Sequence, residues 1–393
     1  MQDKKYSLLL VAFVCHYSHV ARFVKLLKSV NPSVEITLLA DRYDISNEIK
    51  DNVDRILYKH CFNAKMPSWL APLKHMLDLM VLGKQFRLLA KHHRYDIVNI
   101  HYCQYYMAYY IHCLRKIGKK MVITPWGSDV LRVNSRFKLA MLGFLYRRAD
   151  MITVGPQGSV GSVVLRTFRA DENKLRALGW GSETIDYINE NSGGVTTNDA
   201  KVKLGLSGRY VITCGYNAFE QQRHETMIKA ICAIKHELPE NLTLLFPLTY
   251  GSSIETKKKN YVEQIKQWCK ESELNAVFYE EYLSVSELFF LRLGTDMFIH
   301  IQTTDAGNSS LQEYVLCGKK VVHGTWIHYP HLEQYKPLFY FPVDSLDTLG
   351  NAILKAYHSD PIKTPPEVME YIRNRGWKAK MKLWDDFFCS ICK

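Results

Sequence analysis

Long apolar runs are missing from this 393-residue chain. No stretch approaches the roughly 18 apolar residues that a membrane-spanning helix needs, so no such helix is expected. The phosphate-gripping glycine patterns are missing as well. Neither G-x-G-x-x-G nor G-x-x-x-x-G-K-[ST] occurs, which counts against NAD binding and against a Walker-type NTPase. Paired cysteines are scarce. The 10 cysteines are scattered and lie mostly in apolar segments, the pattern of reduced thiols in the cytosol. The lone C-x-x-C, Cys389-Ser-Ile-Cys392, has no second pair, so no metal site, cofactor or disulfide framework is expected from it. No nucleic-acid-binding motif is present. The apolar run Ser7–Val14 has no cleavage site after it and reads as a first buried strand rather than a leader.

What is present is ordinary globular material, 47% apolar and 23% charged, enough for two domains with full cores. The charge is unevenly spread. Residues 1–180 carry 28 Lys and Arg against 13 Asp and Glu, a net of +15, whereas the remainder carries 23 against 26, a net of −3. A basic first half implies an anionic partner, and in the absence of nucleic-acid motifs an anionic membrane surface or a lipid-linked phosphate is the better candidate. The expected location is cytoplasmic, peripheral at the inner face of the plasma membrane.

Strand and helix patterns alternate along the chain. In the first half, Ser7–Val14, Val34–Ala40, Ile56–Leu57, Asp96–Ile100, Met121–Thr124 and Met151–Val154 read as strands. Val20–Val30, Leu73–Arg94, Tyr105–Lys116 (closed by Gly118) and Phe137–Arg148 read as helices between them. Such alternation calls for a parallel sheet covered on both faces. Residues 181–205 are polar and turn-rich and read as a linker. A second series follows at Tyr210–Cys214, Leu242–Phe246, Ala276–Phe278, Met297–Ile301 and Val321–Val322. The expected architecture is α/β, with doubly wound domains at 1–180 and 206–365 facing each other across a cleft. The helical tail 366–393 is expected to pack back on the first domain. Ligands then belong at the carboxyl ends of the strands.

The most informative strand end is Thr304-Asp-Ala-Gly-Asn-Ser-Ser-Leu-Gln-Glu-Tyr-Val-Leu-Cys-Gly318. Gly307, Asn308, Ser309 and Ser310 are small or capping residues ahead of a helical pattern, where free backbone N–H groups and the helix dipole suit a phosphate. Gly318 closes that helix. Asp305 and Glu313 bracket the corner, and a carboxylate one turn into such a helix can accept from sugar hydroxyls. Elsewhere in the second half, Asn217 follows its first strand and Arg223 is a candidate diphosphate clamp. Tyr250 is a candidate for base stacking, and Tyr282 lies in a stretch able to line a base pocket. In the first half, His16 and His19 occupy the first βα loop as candidate general bases. His101 and Asp129 end later strands.

With those residues in place, the sequence from about Ser7 to Tyr340 resembles the GT-B glycosyltransferases. Asp305 to Glu313 is similar to the E-x7-E motif of the family-four retaining transferases, with Asp in first position. Asp96-Ile-Val-Asn-Ile-His101 resembles that family's D-hhh-x-H strand. Thr124-Pro-Trp-Gly-Ser-Asp129 resembles its T-x-H-G-x-D turn, with Trp126 where the family has His. The stretches around Cys214–His224, Pro247–Gly251 and Tyr261–Ile265 look closer to the 4-acetamido-4,6-dideoxygalactose transferases, which act on undecaprenyl-linked intermediates. The resemblance implies a metal-independent transferase in which Glu313 holds the donor ribose. The turn 307–310 then holds donor sugar and pyrophosphate, with Asp305 near the sugar hydroxyls. The implied partners are a nucleoside-diphosphate sugar and a glycan acceptor on a lipid or surface-polysaccharide precursor (lipopolysaccharide, O-antigen or capsule). The two families differ in stereochemical outcome, so retention and inversion both stay open. A nucleotide-sugar epimerase or hydrolase and a non-catalytic partner subunit are the alternatives on the same fold.

Overall fold

The computed structural model describes residues 6–13, 18–41, 45–62, 67–155, 159–252, 254–305, 309–329 and 340–392. The chain divides into two units, residues 1–180 with 378–393, and residues 181–377.

The first unit holds a six-stranded sheet of β1 (Ser7–Ala12), β2 (Glu35–Ala40), β3 (Arg55–Tyr58), β4 (Tyr95–His101), β5 (Gly118–Thr124) and β6 (Met151–Ile152), in the order β3-β2-β1-β4-β5-β6. Every pairing is parallel. The central strands are buried along nearly their whole length and mostly apolar, as both faces are covered by helices. The second unit repeats the plan with β7 (Tyr210–Cys214), β8 (Leu242–Pro247), β9 (Ala276–Tyr279), β10 (Met297–His300), β11 (Lys320–Gly324) and β12 (Tyr340–Val343), ordered β12-β11-β10-β7-β8-β9. Read from its other edge, this is the same doubly wound order as in the first unit. Strand order therefore reverses between β1 and β4 in one unit and between β7 and β10 in the other. Those two reversals are the switch points where a doubly wound sheet opens a crevice.

Two expectations need correction, the linker and the tail, and one strand went unread. Residues 181–205 are not a linker but carry two helices, Glu183–Asn191 and Thr197–Lys203. Their polar residues are caps: Ser182 accepts from the Ile185 amide, and Thr196 forms a reciprocal capping box with Asp199. Ile185 and Ile188 bury into the second unit's core. Gly118 closes the helix Ile111–Ile117 as expected, its amide donating to the Leu114 carbonyl. Its backbone is extended and begins β5, where a Cβ would stand 2.9 Å from the Val98 amide nitrogen and 2.5 Å from a Val98 methyl. Strand β12 escaped the sequence because Pro342 interrupts its pattern, which an edge strand tolerates.

Finally, the tail is two helices, Pro366–Arg373 and Trp377–Ile391. The first packs in the second unit, with Val368 and Ile372 in its core. The second belongs with the first unit from Lys378 onward. There Trp384 is fully buried, edge-on to Phe23 at 5.1 Å, and its Nε1 donates to the Gly179 carbonyl at 3.0 Å. Asp385 accepts from the Tyr6 hydroxyl and the Asn31 amide, each at 2.9 Å.

Candidate functional site

The switch point of the second unit is laced together by the loops that follow β7 and β10. Gly215 turns the first loop with φ +65°, and a Cβ there would meet the Gln222 side chain at 2.8 Å, so only glycine fits. Gln222 donates to the Gln302 Oε1 at 2.7 Å, and the Tyr216 hydroxyl donates to the same atom at 3.2 Å. The Thr303 amide donates to the Gln221 carbonyl at 3.1 Å. Trp326 donates from Nε1 to the Gln302 carbonyl at 2.6 Å. The Gln302 side-chain amide nitrogen, buried, has no partner among the described residues. A buried donor left without a partner is uncommon.

Asn217 is buried and accepts from the Phe219 amide at 3.0 Å, an Asx turn that shapes the loop. Tyr250 belongs to the same group. Its carbonyl accepts from the Ala218 amide at 2.7 Å, and half of the residue is exposed. Arg223 takes a left-handed φ of 63° at the entry of the helix His224–Ala233, with its guanidinium 5.0 Å from the Trp326 ring centre. Burial draws its pKa down. Tyr282 is separate. It is 83% exposed in the loop after β9, two strands from the switch point.

Beyond β10, Asp305 accepts from the Tyr329 hydroxyl and stands 3.4 Å from His300 Nε2. His300 is fully buried and stacks on His323 at 5.1 Å. The acidic side chain is thereby aimed by groups from β10 and from the segment after β11. Gly307 and Asn308 lie outside the described residues, as does His16. Ser309 and Ser310 are the first residues of the helix Ser309–Leu316. Gly318 ends that helix with φ +69°, its amide donating to Val315 and that of Lys319 to Tyr314, a Schellman closure as expected.

Glu313 is 4% exposed on this helix. Its Oε1 accepts from Ser182 Oγ at 2.8 Å, and its Oε2 pairs with Arg292 Nε at 3.1 Å. Arg292 reaches onward to the Tyr314 hydroxyl at 3.0 Å and the Ser310 hydroxyl at 3.2 Å. Burial works against the Arg292 charge, but Tyr314 and Glu313 outweigh it and hold the proton more firmly than usual. A buried ion pair is kept where each ion is fully hydrogen-bonded, as here. Sequence reading missed Arg292 and Ser182. Arg292 left one signal: it is the only charge in Leu288-Phe-Phe-Leu-Arg-Leu293.

In the first unit, His19 stands edge-on to Trp126 at 5.4 Å and near Trp180 at 5.7 Å. His101 is buried, 5.2 Å from Trp180, with Nε2 bonded to Asn99 at 3.0 Å. Burial lowers its pKa to about 3, so it is neutral. The Trp126 indole N–H is buried without a partner among the described residues. Asp129 is buried and tied to the backbone. Its Oδ1 accepts from the amides of Trp126 and Gly127 at 2.9 and 3.0 Å, and its Oδ2 from that of Cys103 at 2.8 Å. It holds the turn after β5 against the end of β4, and burial lifts its pKa to about 6 against those bonds.

Residues 7–155 match the Glycosyl transferase 4-like family model. No curated protein matches the sequence. Among solved structures, Anabaena Alr3699/HepE in complex with UDP is 14% identical, with 98% of this chain and 100% of that one covered at a TM-score of 0.71. Sucrose-phosphate synthase from Thermosynechococcus elongatus is also 14% identical, covering 98% and 100% at 0.68. A UDP-forming trehalose-phosphate synthase from Burkholderia xenovorans is 10% identical, covering 99% of each chain at 0.65. At these identities the likeness defines architecture: the chain has the GT-B fold, two Rossmann-like doubly wound units.

Proposed function

We propose that this chain is a glycosyltransferase that takes its sugar from a nucleoside-diphosphate donor bound by the second unit. The observation that carries this reading is Glu313, fixed by Ser182 and Arg292 on the helix that follows the switch-point strand β10. A carboxylate in that position suits ribose hydroxyls, and the helix N-terminus beside it suits the diphosphate. The complexes of HepE with UDP and with UDP-glucose support a uridine nucleotide as the first donor to try. Charge developing on the departing diphosphate would be met by the amides of Ser309 and Ser310 and by Arg223. No metal is part of the proposal. Asp305 would orient the donor sugar.

For the acceptor we propose a glycan on a membrane lipid phosphate or surface-polysaccharide precursor, which the basic first half supports. The chain would then work peripherally at the cytoplasmic face of an anionic membrane. If the reaction inverts, His16 or His19 would take the acceptor proton; if it retains, the leaving phosphate would. Screening nucleotide sugars for thermal stabilisation tests the donor assignment, since a true donor raises the melting temperature by mass action. No shift with any donor refutes it. Nucleotide release without acceptor would identify a hydrolase, and conversion of the free sugar nucleotide an epimerase. Binding without turnover under any acceptor would identify a partner subunit.

A further inference from the structure

The long helix Ala71–His92 is poorly covered at its start. Residues 71–76 are all exposed, and the preceding turn presents Trp69 at 76% exposure. Trp69, Leu73, Met76 and Met80 are spaced by four, three and four residues, which aligns them on one helical face. All four are exposed, Met80 at 62%. The face continues onto a second element. His75 lies within 3.4 Å of the Tyr105 hydroxyl, Tyr105 packs edge-on to Phe137, and Phe137 is 57% exposed in the first turn of the helix Arg136–Arg148. A shallow groove of about 730 Å³ with apolar walls, including Met76 and Met80, extends the same surface.

Cations frame this apolar face. Lys74, Lys84, Arg87, Arg136 and Lys138 are exposed around it. From Lys59 to Ala149 the chain has 16 Lys and Arg against 3 Asp and Glu, so most of the excess charge of the first half arises here. Of those three acids, Asp129 is buried and Asp96 pairs with Lys119. The third, Asp78, is half-buried on the helix and accepts from the Phe62 amide at 2.7 Å. Neither helix has an acidic residue in its first turn, although the helix dipole favours one there. An exposed Trp and two Met beside a predominantly cationic rim match an interface with anionic headgroups above and apolar chains below.

We infer that the Trp69–Leu73–Met76–Met80 face, with Phe137 and its surrounding cations, docks onto an anionic lipid bilayer. Both helices follow strands of the parallel sheet (β3 and β5), so their N-termini stand at the carboxyl edge, where His19 and Trp126 also lie. Docking would hold that edge against the membrane. The inference deepens the proposed acceptor reading by naming the surface that meets it, but vesicle binding can be read without any turnover.

The test is flotation of the full chain with vesicles of phosphatidylcholine alone and of phosphatidylcholine mixed with phosphatidylglycerol. Recovery with the anionic vesicles should be higher by about tenfold or more at low salt. Met76→Asp with Met80→Asp should abolish recovery, and Lys74→Glu with Lys138→Glu should remove the preference for anionic lipid. Each variant should keep the wild-type circular dichroism and melting temperature, because these side chains face solvent. Trp69 fluorescence, isolated by difference against Trp69→Phe, should be quenched by brominated lipid. Equal recovery with both vesicle types would overturn the inference. So would full binding by the Met double variant, or a solution dimer that the same variant dissociates, which would mean that a second copy covers the face. Donor stabilisation in the same variants reports separately on the transferase reading.

Discussion

At the scale of single residues, the site depends on how buried charges and imidazoles are partnered. Glu313→Ala removes the carboxylate that balances Arg292 and leaves a guanidinium uncompensated in the core. We expect about 3–5 kcal/mol less stability and loss of most nucleotide affinity, checked by urea unfolding and calorimetry. Ser182→Ala is the gentler probe, removing one hydrogen bond worth about 1 kcal/mol. It should weaken nucleotide binding while the fold persists; unchanged affinity would show that Glu313 needs no such anchor. Titration adds a second expectation. His101 and His224 are neutral in the fold, burial having lowered each to about 3, while burial holds Asp129 near 6. Between about pH 4 and pH 6 the unfolded chain binds two protons on the histidines, whereas the folded chain binds one on Asp129. Stability from these groups should therefore rise with pH through that window, by about 1.4 kcal/mol per unit. In Asp129→Asn the opposing proton is gone and the slope should roughly double, as measured by denaturant melts across the window.

At the scale of elements, strands and their polar ends were legible and the partners of those ends were not. The alternation that marks β1, β4, β7 and β10 is local: mostly apolar along the strand, then His101 at its end or Asn217 and Asp305 a few residues past it. Caps were legible as polar residues but were mistaken for loop, as at Ser182 and Thr196, because a helix start and a linker share a composition. Gly118 carries two roles at once, closing the helix Ile111–Ile117 and opening β5. Here it is the approach of β5 to Val98 that excludes a side chain. Gly118→Ala should cost about 1–3 kcal/mol through that clash, seen as a lower melting temperature with nucleotide binding kept. Backbone conformation adds nothing to that loss, since its φ is an ordinary −123°.

At the scale of the whole molecule, two units with one topology divide the chain, and the last helix returns to the first. Removing residues 378–393 should expose Phe23 and Tyr6 and destabilise the first unit, read as a lower first transition on heating. A bound nucleotide sugar at about a hundredfold its Kd should stabilise the second unit by about 2.7 kcal/mol, raising the transition in which that unit melts. The sequence alone determined the α/β class, the repeated strand–helix plan, the uneven charge and the corner from Asp305 to Glu313. These are written in short-range periodicity and composition, which each segment carries by itself. Tertiary structure alone decided that Ser182, 131 positions away, anchors Glu313, that Arg292 balances it, that Asp129 serves a turn, and that Trp69 stands uncovered. Those outcomes depend on which distant groups share a buried volume, and burial sets their charge and partners only once the chain has closed around them.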